Sequence, residues 1–181
     1  MSKHVLFIQG GGNGGYEVDK TLVASLQEAL EKGYDLNYPR MQSNAAAPDF
    51  EWPQQIGKEI SAIRGEVILV AHSFGASMLL KYLSENEVKK KIAGIFLIST
   101  PFWNGDEDWK KGFKLQENFA DRLPKEVSFF FYHCRDDEEV PFSHLASYKK
   151  KLTWAAFREI PRGGHQLDND LTLVANDIKS L

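Results

Sequence analysis

The run Val67-Ile68-Leu69-Val70-Ala71-His72 is apolar and β-branched, and it passes without a linker into Ser73-Phe74-Gly75-Ala76-Ser77-Met78-Leu79-Leu80, where apolar residues recur at helical spacing. A strand this apolar has both faces covered, which is the signature of a parallel sheet packed between helices. The junction reads small-x-Ser-x-Gly at a strand-to-helix turn. Small residues on either side of Ser73 leave room for a strained backbone, and the helix behind it aims its free amides and positive dipole end at the hydroxyl. Such a turn exposes one hydroxyl. The competing reading is that Ser73 merely caps the helix, a common role for serine.

The same alternation continues along the chain. Strands are expected near 4–9, 35–39, 66–72, 92–99, 127–133 and 155–160, and helices near 19–32, 52–63, 74–86, 142–151 and 169–180. This pattern predicts an α/β fold, a three-layer sandwich of about six parallel strands with helices on both faces. The serine strand lies at the centre, and the functional end lies beyond the carboxyl ends of the strands. At 181 residues the length suits a single domain, 1–181, with a short cap-like insert near 100–124.

A serine hydroxyl needs a base to take its proton and an acid to orient that base. Both follow Ser73 in the order this architecture uses, acid and then histidine. The apolar strand Val127–His133 runs into Cys134-Arg135-Asp136-Asp137-Glu138-Glu139-Val140-Pro141. Asp137 is preferred over Asp136 because Asp-x-x-Val-Pro sets it three residues before the valine. One of the two aspartates is expected to be a turn residue, and Glu138 and Glu139 read as solvated acids. The base is His165, which follows Gly163-Gly164 and precedes the last helix. His4 reads as exposed, His133 as a packing residue and His144 as a rim residue. His72, at the variable motif position, reads as lining the pocket.

The loop Gln9-Gly10-Gly11-Gly12-Asn13-Gly14-Gly15 follows the first strand. Its amides are expected to form an oxyanion hole with the Phe74 N–H, Gly11 being the first choice and Gly12 the second. The same loop also matches Gly-x-Gly-x-x-Gly, a dinucleotide-binding fingerprint. That reading needs an acid at the end of the second strand, and Asp35 stands at its start. No Gly-Lys-Ser/Thr follows the loop, which excludes a P-loop.

Composition narrows the function classes. With 43% hydrophobic and 26% charged residues the chain has the make-up of an ordinary globule. A formal charge of −3 offers no electrostatic case for nucleic acid or an anionic membrane as partner. The single cysteine, Cys134, precludes an internal disulfide and fits a reducing, cytoplasmic setting. The first strand starts too early to leave room for a signal peptide, and no run reaches transmembrane length. Metal-ligand spacings are missing, so neither metal nor cofactor is expected.

On Ala71-His72-Ser73-Phe74-Gly75, the glycine loop, Asp137-x-x-Val-Pro and Gly-Gly-His165, the chain resembles the α/β-hydrolase superfamily. Within it, the chain resembles the small serine hydrolases of the retinoblastoma-binding protein 9 and YdeN type. The resemblance spans the whole chain. It implies a compact core without the first two antiparallel strands of larger relatives. It also implies carboxylesterase-like hydrolysis of an ester, thioester or amide through Ser73, Asp137 and His165. Ala71 replaces the usual glycine, and Gln9 stands where many relatives carry histidine.

Phe102, Trp103 and Trp109 in the insert, with Phe142 and Met78, are candidates for an apolar substrate pocket; alternatively they close the core over the sheet edge. The insert is too short for a large lid, so the pocket is expected to be shallow and the acyl substrate small. A different class of reading remains, a protein-binding module on a hydrolase fold. Oligomeric state is not legible in these residues.

Overall fold

The carboxyl ends of the strands determine where chemistry can occur, and the register brings them to one edge. The computed structural model describes residues 2–181. Six parallel strands, β1 (Lys3–Ile8), β2 (Tyr34–Asn37), β3 (Val67–His72), β4 (Ile92–Ile98), β5 (Ser128–Cys134) and β6 (Ala156–Ile160), form one sheet in the order β2-β1-β3-β4-β5-β6. Ile8 lies beside Ala71, His72 beside Ile98, Ile98 beside Tyr132, and Cys134 beside Ile160. The loops that follow these strands therefore leave the sheet along a single rim.

Two apolar cores sandwich the sheet, as the period-two alternation of side chains requires. Leu6, Ile8, Leu69, Ala71, Ile95, Leu97, Phe129 and Phe131 face α2 (Trp52–Ala62), α3 (Ser73–Glu85), the short α4 (Phe119–Arg122) and α5 (Ser143–Lys151). Val5, Phe7, Ile68, Val70, Phe96, Ile98 and Tyr132 face α1 (Gly15–Leu30) and α6 (Thr172–Lys179) on the other side. β3 is buried at every position, whereas the edge strand β2 alternates between half-buried and exposed. That contrast is why β3 reads as a continuous apolar run.

The elements differ from the sequence expectation mainly at their ends. α1 begins at Gly15, a full turn before the expected 19. Gly15 packs so closely that a Cβ would lie 2.5 Å from the Gly10 carbonyl oxygen, so the glycine marks a helix start rather than loop. α6 begins at Thr172 instead of 169, because Leu167, Asp168 and Asn169 all take left-handed backbone angles. The expected insert contains α4, which the sequence reading left without an element. Among the described residues no helix is long and apolar enough to cross a membrane.

Strand order reverses at β1, since β2 lies on one side of it and β3 on the other. In an open parallel sheet that reversal leaves a crevice between the two outgoing loops. Here the crevice is flanked by the glycine loop after β1 and the serine turn after β3.

Candidate active site

At the end of β3 the backbone turns from φ −115° at His72 to φ 52° at Ser73, and α3 begins at once. A left-handed non-glycine residue is disfavoured by about 1–2 kcal/mol, so the packing around Ser73 must hold it there. Gly75 contributes to that packing: a Cβ there would collide with the Gln9 carbonyl oxygen. His72, not Ser73, occupies the N-cap position of α3, and its side chain makes no cap hydrogen bond. The Ser73 Oγ lies 2.9 Å from Nε2 of His165, which removes the capping alternative.

His165 arrives from the loop after β6, and Nδ1 of its ring lies 3.0 Å from both carboxylate oxygens of Asp137. A carboxylate accepts, so Nδ1 carries the hydrogen and Nε2 presents a lone pair to the Ser73 hydroxyl. The Asp137 side chain is fully buried. Burial favours its neutral form, but hydrogen bonds from His133 and His165, together with the Val140 amide, outweigh burial and hold the carboxyl well below the usual carboxylate range. The Glu139 and Val140 amides donate to Oδ1 at 2.9 and 2.8 Å. For His165, burial disfavours the charged ring, but the Asp137 hydrogen bond and charge win, and its pKa is raised above the ordinary imidazole value.

The other acids of this loop hold backbone. Asp136 accepts the amides of Gly163 and Gly164 at 3.3 and 2.9 Å, and Glu138 accepts the His165 amide at 3.2 Å. Glu138 is exposed, as expected of a solvated acid, and it also fastens the histidine loop. Glu139 is exposed, yet its Oε2 lies 3.5 Å from His165 Nε2. His133, expected to be a packing residue, is buried and lies 3.3 Å from Asp137 while donating to the Val140 carbonyl at 2.9 Å. His144 accepts the Phe102 amide at 2.9 Å, and burial lowers its pKa.

Two buried groups that the sequence reading did not assign to the site also converge here. Asp19, in α1, accepts the Gly10 amide at 2.7 Å, and the Gln166 side chain donates to it at 3.2 Å. Ser99, at the end of β4 with φ 48°, donates its hydroxyl to the His165 carbonyl at 3.0 Å. Asp19 carried a signal in the sequence, an acid on the helix face otherwise formed by Leu22, Val23, Leu26 and Leu30. Ser99 carried none beyond its place at a strand end.

The glycine loop divides its work. Gly10 spends its N–H on Asp19, whereas Gly11 lies against the nucleophile turn, where a Cβ would fall 2.9 Å from Phe74 Cβ. Gly12 is exposed with φ 82°, and its carbonyl accepts the Gly15 amide. The dinucleotide reading loses its acid, because Asp35 pairs with His4 at the amino end of the sheet, away from this loop.

The aromatic pocket is built differently from the expectation. The Phe74 ring meets Trp52 and Phe113 at 5.0 Å, Phe50 at 5.9 Å and Trp103 at 6.2 Å between centroids. Trp109 packs edge-on against Trp103 while remaining 61% exposed. Trp103 and Trp109 thus join an aromatic cluster around Phe74 in which Trp52 and Phe113 are buried, while Phe50, Phe74 and Trp103 are half-buried. Met78 is fully buried in the core because it lies on the sheet side of α3, so it cannot line a pocket. His72 is also buried, bonded on both ring nitrogens inside the protein, and cannot touch a substrate. Phe102 packs on Phe119 and Tyr148, and Phe142 stands over His133. Among the described residues no group of three or more His, Cys, Asp or Glu side chains is arranged to hold a metal ion.

Residues 26–171 match the family described as Serine hydrolase. The Bacillus subtilis protein YdeN is 27% identical over 142 residues, which span 75% of this chain and 70% of YdeN. The crystal structure of the B. subtilis ydeN gene product superimposes with a TM-score of 0.69 at 19% identity, covering 99% of this chain and 98% of that one. CarC, a serine hydrolase involved in carbazole degradation, gives a TM-score of 0.74 at 13% identity over 99% of this chain and 90% of its own. At these identities the structural likeness bears on the fold, which is that of the α/β-hydrolases.

Proposed function

We propose, for a chain that belongs to the serine hydrolase family, that it cleaves small esters, thioesters or amides through an acyl-enzyme on Ser73. One observation carries this reading: a single imidazole bridges the Ser73 hydroxyl at 2.9 Å and the buried Asp137 carboxylate at 3.0 Å. Ser73 Oγ bonds to the carbonyl carbon as its proton passes to His165 Nε2. The tetrahedral intermediate then expels the leaving group, which takes that proton. Water repeats the sequence and releases the acid. Asp137 keeps the imidazole in the tautomer that accepts from serine. The amides of Phe74 and Gly11 face the developing oxyanion, a contribution on the order of 3–4 kcal/mol per donor in serine hydrolases.

The aromatic cluster around Phe74 supports a small acyl or alcohol group lying flat, with one edge in solvent at Trp109. The buried position of Met78 argues against a deep tunnel for a long chain. The test is turnover of p-nitrophenyl acetate, butyrate and palmitate by the wild type and by Ser73→Ala. The reading expects turnover of the short esters, weak activity on palmitate, and loss of turnover in the variant. Equal rates with and without the serine hydroxyl would overturn it.

A further inference from the structure

Asp19 and His72 lie beneath the site, each side chain 1% exposed. Nε2 of His72 is 3.1 Å from the His165 carbonyl oxygen, and a carbonyl can only accept, so Nε2 carries a hydrogen. Nδ1 of the same ring is 2.9 Å from Oδ2 of Asp19. That oxygen also takes the Gly10 amide at 2.7 Å, and Oδ1 takes the Gln166 amide group at 3.2 Å. Amide donors on both oxygens favour the ionised carboxylate, which leaves Nδ1 as a donor too. A ring that donates from both nitrogens is an imidazolium.

We propose that His72 is a buried imidazolium, paired with Asp19, that acts as the positioning residue for His165. The inference rests on the hydrolase reading only in taking His165 as the base. The His165 backbone is gripped from two directions, its carbonyl by His72 and Ser99 and its amide by Glu138. The ring is then aimed by Asp137. Because Asp19 also holds Gly10, one ion pair couples the loop that supplies Gly11, the serine turn and the histidine loop. Burying two charges is costly, and such a pair is retained where it fixes a geometry that an apolar pair would not.

The pair also acts on charge. The His72 and His165 rings lie 4.8 Å apart between centroids. Asp137 and Glu139 face His165 from the acid loop and favour its protonation, as does Asp19 from α1. A cation at His72 opposes it. The groups facing His72 itself are Asp19 and His165. Removing the His72 charge therefore strengthens the hold of His165 on its proton and moves the acid limb of activity to higher pH.

Nitrogen NMR of full-length protein labelled at histidine provides the test, with the His72 signals assigned by difference from His72→Asn. Both His72 ring nitrogens are expected to carry hydrogen in the folded protein; one bare nitrogen would overturn the imidazolium. Ester turnover by His72→Asn and His72→Gln is expected to show kcat lowered by about 100-fold, with KM little changed and the acid limb displaced upward. A merely structural role would reduce the folded fraction without displacing that limb. Wild-type kcat and an unmoved limb in both variants would overturn positioning while leaving Ser73 in place. Absence of Ser73-dependent turnover would instead remove the hydrolase reading, and the NMR result on His72 would still stand or fall by itself.

Discussion

At Ser73 the left-handed backbone and the 2.9 Å approach of His165 belong together, because only the strained turn lifts the hydroxyl clear of the helix it begins. In the proposed reaction His165 must be neutral to accept the serine proton, and its pKa is raised. Activity is therefore expected to fall as pH drops through a value above the ordinary imidazole pKa of about 6.5. A kcat/KM profile that stays flat down to pH values well below this would contradict the assignment. Glu139 adds negative charge 3.5 Å from Nε2, so Glu139→Gln should move that limb to lower pH, by an amount limited by solvent screening. Asp137→Asn preserves shape but forfeits the tautomer, and a loss on the order of 10⁴-fold in kcat is expected. Ser73, Asp137 and His165 were legible because each follows a strand end with a local signature. Ser99 and Glu138 were not, since they act on backbone atoms brought close only by the fold, and Asp19 showed only as an acid on an apolar helix face, without its partners.

Among the elements, the contact between α3 and the end of β1 is the tightest constraint on the site. A Cβ at Gly75 would lie 2.0 Å from the carbonyl oxygen of Gln9, the residue directly after β1. Gly75→Ala is expected to destabilise by about 1–3 kcal/mol and to reduce turnover beyond the loss of folded protein, because it displaces Ser73 from the glycine loop. A urea midpoint equal to that of the wild type would count against this packing argument. β3, β4 and most of β5 were legible as apolar runs, since burial on both faces writes a continuous pattern, whereas the edge strands β2 and β6 show it only in part. Helix starts were less so. Gly15 has the residue type of a loop but serves close approach, and α4 is too short to show a period. The aromatic cluster around Phe74 was only partly legible: Trp103 and Trp109 stand in the insert, but Phe50, Trp52 and Phe113 reach Phe74 from separate stretches of chain.

For the molecule as a whole, the sheet order sets the site at the reversal between β1 and β3, and the site in turn marks the pH dependence of stability. Asp137 has a depressed pKa in the folded state. Its contribution is complete above the unfolded value of about 4 and is lost as pH falls through the folded value. His165, with a raised pKa, has the opposite sign: its contribution is complete below about 6.5 and is lost as pH rises through the folded value. Urea midpoints should therefore decline on acidification below about pH 4, and Asp137→Asn should flatten that decline; parallel curves for the two proteins would argue against the linkage. The central claim concerns which atom attacks. Labelling the intact protein with a fluorophosphonate, digesting it and locating the adduct by tandem mass spectrometry addresses that claim most directly. The account predicts one adduct, on the peptide containing Ser73, and none in Ser73→Ala. An adduct on another residue, or a folded wild type that resists the probe altogether, would contradict it.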